Sequence, residues 1–173
     1  MEIRHIRQSD DRFAISRIYE ESWKFAYKDI IPQNYLESIP AGHWVSNLDK
    51  EGMNTLVMIE DGIFIGTSSY CKSRFSDFSN FGEIVSIYLL PQYIGKGYGK
   101  LLLDAVVGEL AHLGFYDIFL WVLEDNLRAR KFYEKAGFTL SENYLDDNIG
   151  GKELREIQYC FQICSNLRNI EDR

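Results

Sequence analysis

The stretch from Gly82 to Lys100 constrains the fold more than any other part of the chain. It opens with an apolar, β-branched run that ends at Pro91, whose missing N–H stops a strand from continuing. A glycine-rich loop follows, and from about Gly97 to Leu113 apolar residues recur at helical spacing. The pattern predicts a strand, a tight loop and a helix. Such a junction leaves backbone N–H groups unpaired at the positive end of the helix dipole, a site that binds anions and most often phosphate.

Three phosphate-binding motifs can be compared with this loop. A Walker loop requires Ser or Thr after its glycine–lysine pair, whereas Leu101 follows Lys100 here. The dinucleotide fingerprint G-x-G-x-x-G has its third glycine one residue early, at Gly99. Asp117 stands near the position of a ribose-binding acid, so spacing alone does not exclude that motif. The pattern that fits without adjustment is Q-x-x-G-x-G, directly after a strand, in the segment Gln92-Tyr93-Ile94-Gly95-Lys96-Gly97.

A second segment, from Asn126 to Phe138, has the features of a helix with one specialised face. Asn126 is a favourable N-cap, and Gly137 suits the left-handed position that follows a helix. Ala129 and Tyr133 fall on the same face. Taken alone, the segment favours the simpler interpretation, an ordinary amphipathic helix with a buried tyrosine.

Together, the two segments resemble the GNAT superfamily of N-acetyltransferases. The first is similar to the family's acetyl-coenzyme A signature, Q/R-x-x-G-x-G. The second, Asn126-Leu127-Arg128-Ala129-Arg130-Lys131-Phe132-Tyr133-Glu134-Lys135-Ala136-Gly137-Phe138, is similar to a segment that contacts the same coenzyme. The resemblance extends from Ile3 to about Ile163. It implies an acyltransferase that moves an acetyl group from acetyl-coenzyme A to a primary amine by direct transfer in a ternary complex.

The predicted element order is β-α-α-β-β-β-α-β-α-β-β, the order of the GNAT fold. That α/β fold has a mixed, mostly antiparallel central sheet with helices on both faces. Its fourth and fifth strands, predicted at Glu83–Leu90 and Tyr116–Leu123, should be parallel because a helix connects them. In the family these strands splay apart at one end, which leaves backbone groups of the first free to pair with the pantetheine arm. Two further strands are predicted at 139–145 and 153–163, and an exposed loop at 74–80.

Length and composition indicate one domain over residues 1–173, with a polar tail at 165–173 that is expected to fray. No apolar run approaches the roughly 20 residues of a membrane span, and the N-terminus lacks the layout of a signal peptide. The three cysteines show no C-x-x-C spacing, which favours free thiols in the cytoplasm over a disulfide framework or a metal site.

The charge balance ranks the possible partners. Nineteen basic residues against 26 acidic ones give a net charge of −7. An acidic protein repels a phosphate backbone and attracts cations, so nucleic acid is disfavoured. A protonated amine is favoured, such as a polyamine, an amino sugar, or the N-terminus or a lysine of a peptide. The resemblance adds that homodimers are frequent in the family.

The resemblance places the coenzyme on the fourth strand, the glycine loop and one face of the later helix. The implied coenzyme-binding residues are Ile87, Tyr88, Leu89, Leu90, Gln92, Gly95, Lys96, Gly97, Tyr98, Gly99, Lys100, Asn126, Ala129, Phe132 and Tyr133.

Three residues are candidates for the chemistry. Tyr133 occupies the family's general-acid position, and a phenol of pKa ~10 is reasonably matched to a thiol of pKa ~8–9; the alternative is a core tyrosine whose hydroxyl is already bonded. The backbone N–H of Leu89 is implied to stabilise the oxyanion. Glu83 resembles a strand glutamate that activates the amine through water. Alternatively, Glu83 orients the amine or pairs with a basic side chain, while a chain of waters removes the proton.

The acceptor pocket is expected between the region around Trp23 to Leu36 and the last hairpin, with Trp23, Tyr27 and Tyr35 as aromatic candidates for its wall. The segment from Ser22 to Pro32 resembles bacterial small-amine acetyltransferases. Ordinary packing is the alternative for all three aromatic residues. Two other functions stay open on the sequence alone: a catalytically idle acyl-coenzyme A-binding or regulatory module, and a nucleotide-binding domain.

Overall fold

The computed structural model of the chain describes residues 1–163, so the predicted tail at 165–173 lies outside the described residues. Two single 3-10 turns, at Ser76–Phe78 and Pro91–Tyr93, accompany the helices and strands. In chain order the elements are β1 (Glu2–His5), α1 (Arg12–Ala26), α2 (Gln33–Ser38), α3 (Val45–Leu48), β2 (Asn54–Glu60), β3 (Ile63–Lys72), β4 (Gly82–Leu89), α4 (Tyr98–His112), β5 (Asp117–Leu123), α5 (Leu127–Lys135), β6 (Thr139–Ile149) and β7 (Lys152–Gln162).

The strands of the described chain form one seven-stranded sheet in the order β1-β2-β3-β4-β5-β7-β6. Every neighbouring pair is antiparallel except β4 and β5, which are parallel. The parallel pair follows from the crossover through α4, because a hairpin can join only antiparallel strands. The predicted fold class is confirmed.

Helices cover both faces of the sheet because successive strand residues point to opposite sides. On β2, the side chains of Leu56 and Met58 pack in the cluster that includes Leu102 and Val106 of α4. The intervening Val57 packs with α1 on the other face. Each of these side chains is at most 2 % exposed, and burial of one such side chain stabilises the fold by about 1.5–3 kcal/mol. The sheet is therefore the middle of three layers.

β4 and β5 pair over only three residues each. Gly82–Ile84 aligns with Ile118–Leu120, whereas the rest of β5 pairs only with β7. The segment of β4 from 85 to 89 thus has β3 on one side and an opening on the other. At the joined end, a Cβ on Gly82 would lie 2.8 Å from Cδ2 of Leu110, so glycine allows α4 to pack close against the sheet there.

Candidate active site

A cleft of about 880 Å³ occupies the opening between β4 and β5. The glycine loop and α5 border one half of this cleft, and we call that half the loop side. The end of α1 and the last hairpin border the other half, which we call the hairpin side. The two segments singled out in the sequence therefore meet at one cavity.

The glycine loop leaves a run of backbone N–H groups free. Gly95 and Gly97 adopt left-handed φ angles of +80° and +90°, which glycine takes up without steric cost. The N–H groups of Lys100 and Leu101 both donate to the carbonyl of Gly97. By contrast, the five N–H groups from 95 to 99 donate to no acceptor among residues 1–163. Because the loop leads into the first turn of α4, these groups form an anion site at the positive end of the helix dipole.

The free edge of β4 presents a further donor. The N–H of Leu90 donates to the carbonyl of Ile65 on β3 at 2.8 Å. N–H groups of successive strand residues point to opposite edges, so the N–H of Leu89 points away from β3 and into the opening. The carbonyl of Leu89 accepts a hydrogen bond from Oγ of Ser22 at 2.7 Å, which fixes the end of β4 to α1.

Tyr133 projects from α5 into the same opening. Its ring packs between those of Phe132 and Phe138, and the residue is 8 % exposed. Burial raises the pKa of Tyr133, and the nearby Tyr88 phenol raises it further by a smaller amount. Its hydroxyl donates to no acceptor in the described part of the chain. It is therefore a protonated hydrogen-bond donor at the cleft. Asn126 caps α5 as predicted, with its Oδ1 3.2 Å from the N–H of Ala129.

Aromatic side chains build the hairpin side. Nε1 of Trp23 donates to the hydroxyl of Tyr88 at 3.1 Å, and the hydroxyls of Tyr27 and Tyr88 are 3.3 Å apart. Trp23 and Tyr27 pack edge to face, with ring centroids 5.0 Å apart. The Trp121 indole N–H is buried in the same wall and has no acceptor among the described residues.

Tyr35 does not line the cleft. It packs under the turn between β6 and β7, where its Cβ lies 2.6 Å from the place that a Cβ on Gly150 would take. Tyr35 thus supports the last hairpin and does not form the pocket wall.

Glu83 lies at the joined end of β4 and β5 and is fully buried. Arg74, in the loop after β3, binds its carboxylate: Nη2 lies 2.6 Å from Oε1, and Nε lies 3.1 Å from Oε2. The backbone N–H of Arg74 also donates to Oε2 at 3.0 Å. This is the arrangement that the sequence left open as pairing with a basic side chain.

Most of the predicted coenzyme-binding residues line the cleft, and four do not. Leu90 is 2 % exposed and packs in the interior. The Tyr98 hydroxyl donates to Glu60 at 3.4 Å, and Nζ of Lys96 lies over the Tyr93 ring. Gln92 is exposed outside the cleft. Those that line it are Ile87, Tyr88, Leu89, Gly95, Gly97, Gly99, Lys100, Asn126, Ala129, Phe132 and Tyr133.

Outside α5, two charged residues of the cleft were not predicted from the sequence, Arg74 and Glu156. Glu156 lies on β7, two residues after Leu154, which is a core residue. Because residues two apart on a strand share a face, this spacing is the signal that would have placed Glu156 on the inner face. Arg74 carried no periodic signal because it lies in a loop.

Among residues 1–163 there is no cluster of His, Cys, Asp and Glu that could hold a metal ion. Nor is any described helix long and apolar enough to cross a membrane.

Comparison with known proteins identifies the family. The model of the acetyltransferase (GNAT) family matches residues 13–138. The ribosomal-protein alanine N-acetyltransferase of Haemophilus influenzae is 32 % identical over 68 % of this chain and 78 % of its own length. The spermidine N(1)-acetyltransferase of Thermoplasma acidophilum is 28 % identical over 83 % of this chain and 92 % of its own. The crystal structure of PaiA N-acetyltransferase from Thermoplasma acidophilum, in complex with coenzyme A, aligns with 93 % of this chain and with 100 % of its own, at a TM-score of 0.69 and 24 % identity.

The chain belongs to the GNAT family and is a GNAT-type N-acetyltransferase.

Proposed function

We propose that this enzyme transfers the acetyl group of acetyl-coenzyme A to a primary amine by direct attack in a ternary complex. One observation carries the proposal: the free N–H groups of the glycine loop and the unbonded hydroxyl of Tyr133 face the same opening. A diphosphate and a thioester belong to one coenzyme, so the two features fit a single ligand.

The loop side matches the charge and shape of that coenzyme. The N–H groups from 95 to 99 would hold the diphosphate, because backbone donors at a helix N-terminus suit anions. Although the protein is acidic overall, four cationic side chains line this part of the cleft: Lys100, Arg128, Lys131 and Lys135. The open edge of β4 would pair with the amide groups of the pantetheine arm.

Two groups would act on the thioester. The N–H of Leu89 would donate to the carbonyl oxygen as negative charge develops there, and such donors act most strongly where water is excluded. Tyr133 would give its proton to the departing sulfur, since burial keeps the phenol protonated. Neither coenzyme segment contains a cysteine, which favours direct transfer over a covalent enzyme intermediate.

The role of Glu83 as the base that activates the amine stays a prediction. The ion pair with Arg74 disfavours it, because both oxygens of the carboxylate already accept hydrogen bonds. Glu83 would therefore serve to hold Arg74 beside the cleft.

The acceptor is a primary amine of a small molecule or of a peptide. Two relatives point to this class by their names: one acts on a ribosomal-protein alanine and the other on spermidine. A net charge of −7 favours a cationic acceptor. That residues 1–173 act as one domain, in the cytoplasm and as a homodimer, also remains a prediction.

The proposal is tested by following release of the coenzyme A thiol from acetyl-coenzyme A with a panel of primary amines. The panel includes spermidine and a peptide with an N-terminal alanine. We expect amine-dependent release that gives one acetylated amine per thiol. Binding of acetyl-coenzyme A without release for any amine would favour the idle acyl-coenzyme A-binding module.

A further inference from the structure

The cleft contains a second carboxylate that the proposed function has not used. Glu156 on β7 pairs in register with Leu123, the last residue of β5, at the end where β4 and β5 have separated. Alternation puts its side chain on the same face as that of Leu154, which packs in the cluster formed with α2. The carboxylate therefore lies on the hairpin side, and it lines the cleft.

Glu156 differs from Glu83 in its partners. Arg74 forms an ion pair with Glu83 at 2.6 Å, whereas no described residue forms an ion pair or a side-chain hydrogen bond with Glu156. A partly buried carboxylate without a partner is costly in its charged form, and a proton or a cationic ligand relieves that cost. Of the two glutamates that line the cleft, Glu156 is the one available to accept a proton or to bind a cationic ligand.

The charged and titratable groups that face Glu156 come from three elements. Burial raises the pKa of Glu156, the charge of Asp147 on β6 raises it further, and Arg74 lowers it. Tyr27, at the end of α1, is the third neighbour: burial, offset in part by its bond to Tyr88, raises its pKa to about 12, and the negative charge of Glu156 adds to this. Glu156 thus faces one acid, one cation and one neutral phenol.

We propose that Glu156 receives the ammonium group of the acceptor and accepts one of its protons. This proposal rests on the proposed function and narrows the acceptor to a primary amine that is positively charged at neutral pH. Trp23 and Tyr27 border the same side of the cleft and would supply aromatic surface for the carbon chain and the charge of the amine.

The proton balance closes with groups present in the cleft. Glu156 takes one proton from the ammonium nitrogen, and the freed lone pair attacks the thioester carbonyl carbon. A carbon–nitrogen bond forms as the carbon–sulfur bond breaks, and Tyr133 gives its proton to the sulfur. A second proton of the amine nitrogen passes to the Tyr133 oxygen and restores the phenol. The third proton stays on the nitrogen of the product amide. Glu156 then returns its proton to water.

The test compares Glu156→Gln with Glu153→Gln, a matched exposed glutamate on the same strand that does not line the cleft. With spermidine and with an N-terminal alanine peptide as amines, E156Q should lower kcat/KM by about 10²-fold or more. The dissociation constant for coenzyme A should change less than about twofold, and E153Q should behave as the unmodified protein does.

The pH profile separates this role from a structural one. In the unmodified protein, kcat/KM should rise as Glu156 loses its proton and then level off. E156Q cannot remove the proton and reacts only with amine that is already neutral in solution. Because the neutral fraction grows about tenfold per pH unit, kcat/KM of E156Q should keep rising at that rate up to the pKa of the amine. An E156Q enzyme with the unmodified profile and rate would overturn the proposal.

A second measurement does not depend on turnover. Carbon-13 NMR of the Glu156 carboxyl carbon, in protein saturated with coenzyme A, gives its pKa with and without spermidine. Binding of the ammonium group should lower that pKa, because an adjacent cation favours the carboxylate. An unchanged pKa in saturating spermidine would refute the role of Glu156, whether or not any amine is acetylated. Failure of every amine to turn over, by contrast, would count against the proposed function itself.

Discussion

Arg74 binds the buried carboxylate of Glu83 through both its guanidinium and its backbone N–H, with the shortest contact, 2.6 Å, between Nη2 and Oε1. Glu83 is fully buried, while the Arg74 side chain is half exposed. The pair closes the joined end of β4 and β5 and fixes the loop after β3 to the edge of the cleft. Each partner matters to the other because a buried carboxylate without its cation is costly.

Arg74→Ala should therefore destabilise the protein by about 2 kcal/mol, less than for a fully buried pair because water screens the exposed arginine. Adding Glu83→Gln to this variant should recover about 1 kcal/mol, since the unpaired charge is removed. Urea unfolding measures both values. A single R74A variant as stable as the unmodified protein would show that the ion pair contributes nothing to stability.

Gly97→Ala tests whether the conformation of the glycine loop matters. Gly97 has a φ of +90°, and no atom lies within 4 Å of a Cβ placed there, so any effect comes from the backbone and not from a clash. We expect the dissociation constant for coenzyme A to rise about tenfold, because alanine disfavours the left-handed conformation by about 1–2 kcal/mol. Isothermal titration calorimetry measures it.

The matched control for the loop is Gly108→Ala, in the middle of α4. Its φ is not positive, and a Cβ there would also meet nothing within 4 Å. This variant should bind coenzyme A normally and should be more stable by about 0.5–1 kcal/mol, since alanine is the better helix former. Equal losses of affinity in both variants would contradict a special role for the loop.

Tyr133→Phe removes the hydroxyl proposed to protonate the sulfur and keeps the ring that packs against Phe132 and Phe138. We expect kcat to fall at least about tenfold while the affinity for coenzyme A stays nearly constant, as for loss of a general acid. Steady-state kinetics across pH check this. A kcat unaltered at every pH would remove Tyr133 from the mechanism.

The Asp10 carboxylate makes the stability of the protein depend on pH. Its oxygens accept from Nη1 and Nη2 of Arg4 at 2.7 and 2.8 Å, and this hydrogen bonding lowers the pKa of Asp10 below its ordinary value of 3.8. A carboxylate whose pKa is lowered by folding stabilises the protein above the pKa of the unfolded chain, and that contribution disappears as pH falls through the folded value. Asp10→Asn should cost about 1–2 kcal/mol at pH 7 and less at a pH below the folded pKa of Asp10, as measured by urea unfolding at each of the two pH values. An equal cost at both pH values would contradict the ion pair.

The sequence predicted the sheet and the loop side of the cleft because both depend on local patterns. Strand, glycine loop and helix follow one another without interruption, and Asn126 and Gly137 mark the ends of α5. The far end of β6 was harder to predict. It was expected to stop at 145 but continues to Ile149, where backbone pairing with β7 extends the strand without apolar alternation.

The hairpin side depends on contacts between residues far apart in sequence, which local patterns do not reveal. The loop at 74–80 was predicted to be exposed, and most of it is, but Phe75 and Phe78 are partly buried against Phe119 of β5, with ring centroids 6.0 and 5.3 Å from that of Phe119. That packing brings Arg74 to Glu83. Likewise, Glu156 enters the cleft only because β5 separates from β4 while remaining paired with β7.

The most direct test is a crystal structure of the protein with coenzyme A. The proposed function predicts diphosphate oxygens within about 3 Å of the N–H groups of Gly95 and Gly97, and the coenzyme sulfur within hydrogen-bonding reach of the Tyr133 hydroxyl. A coenzyme bound away from the glycine loop, or a sulfur on the far side of β4 from Tyr133, would contradict it.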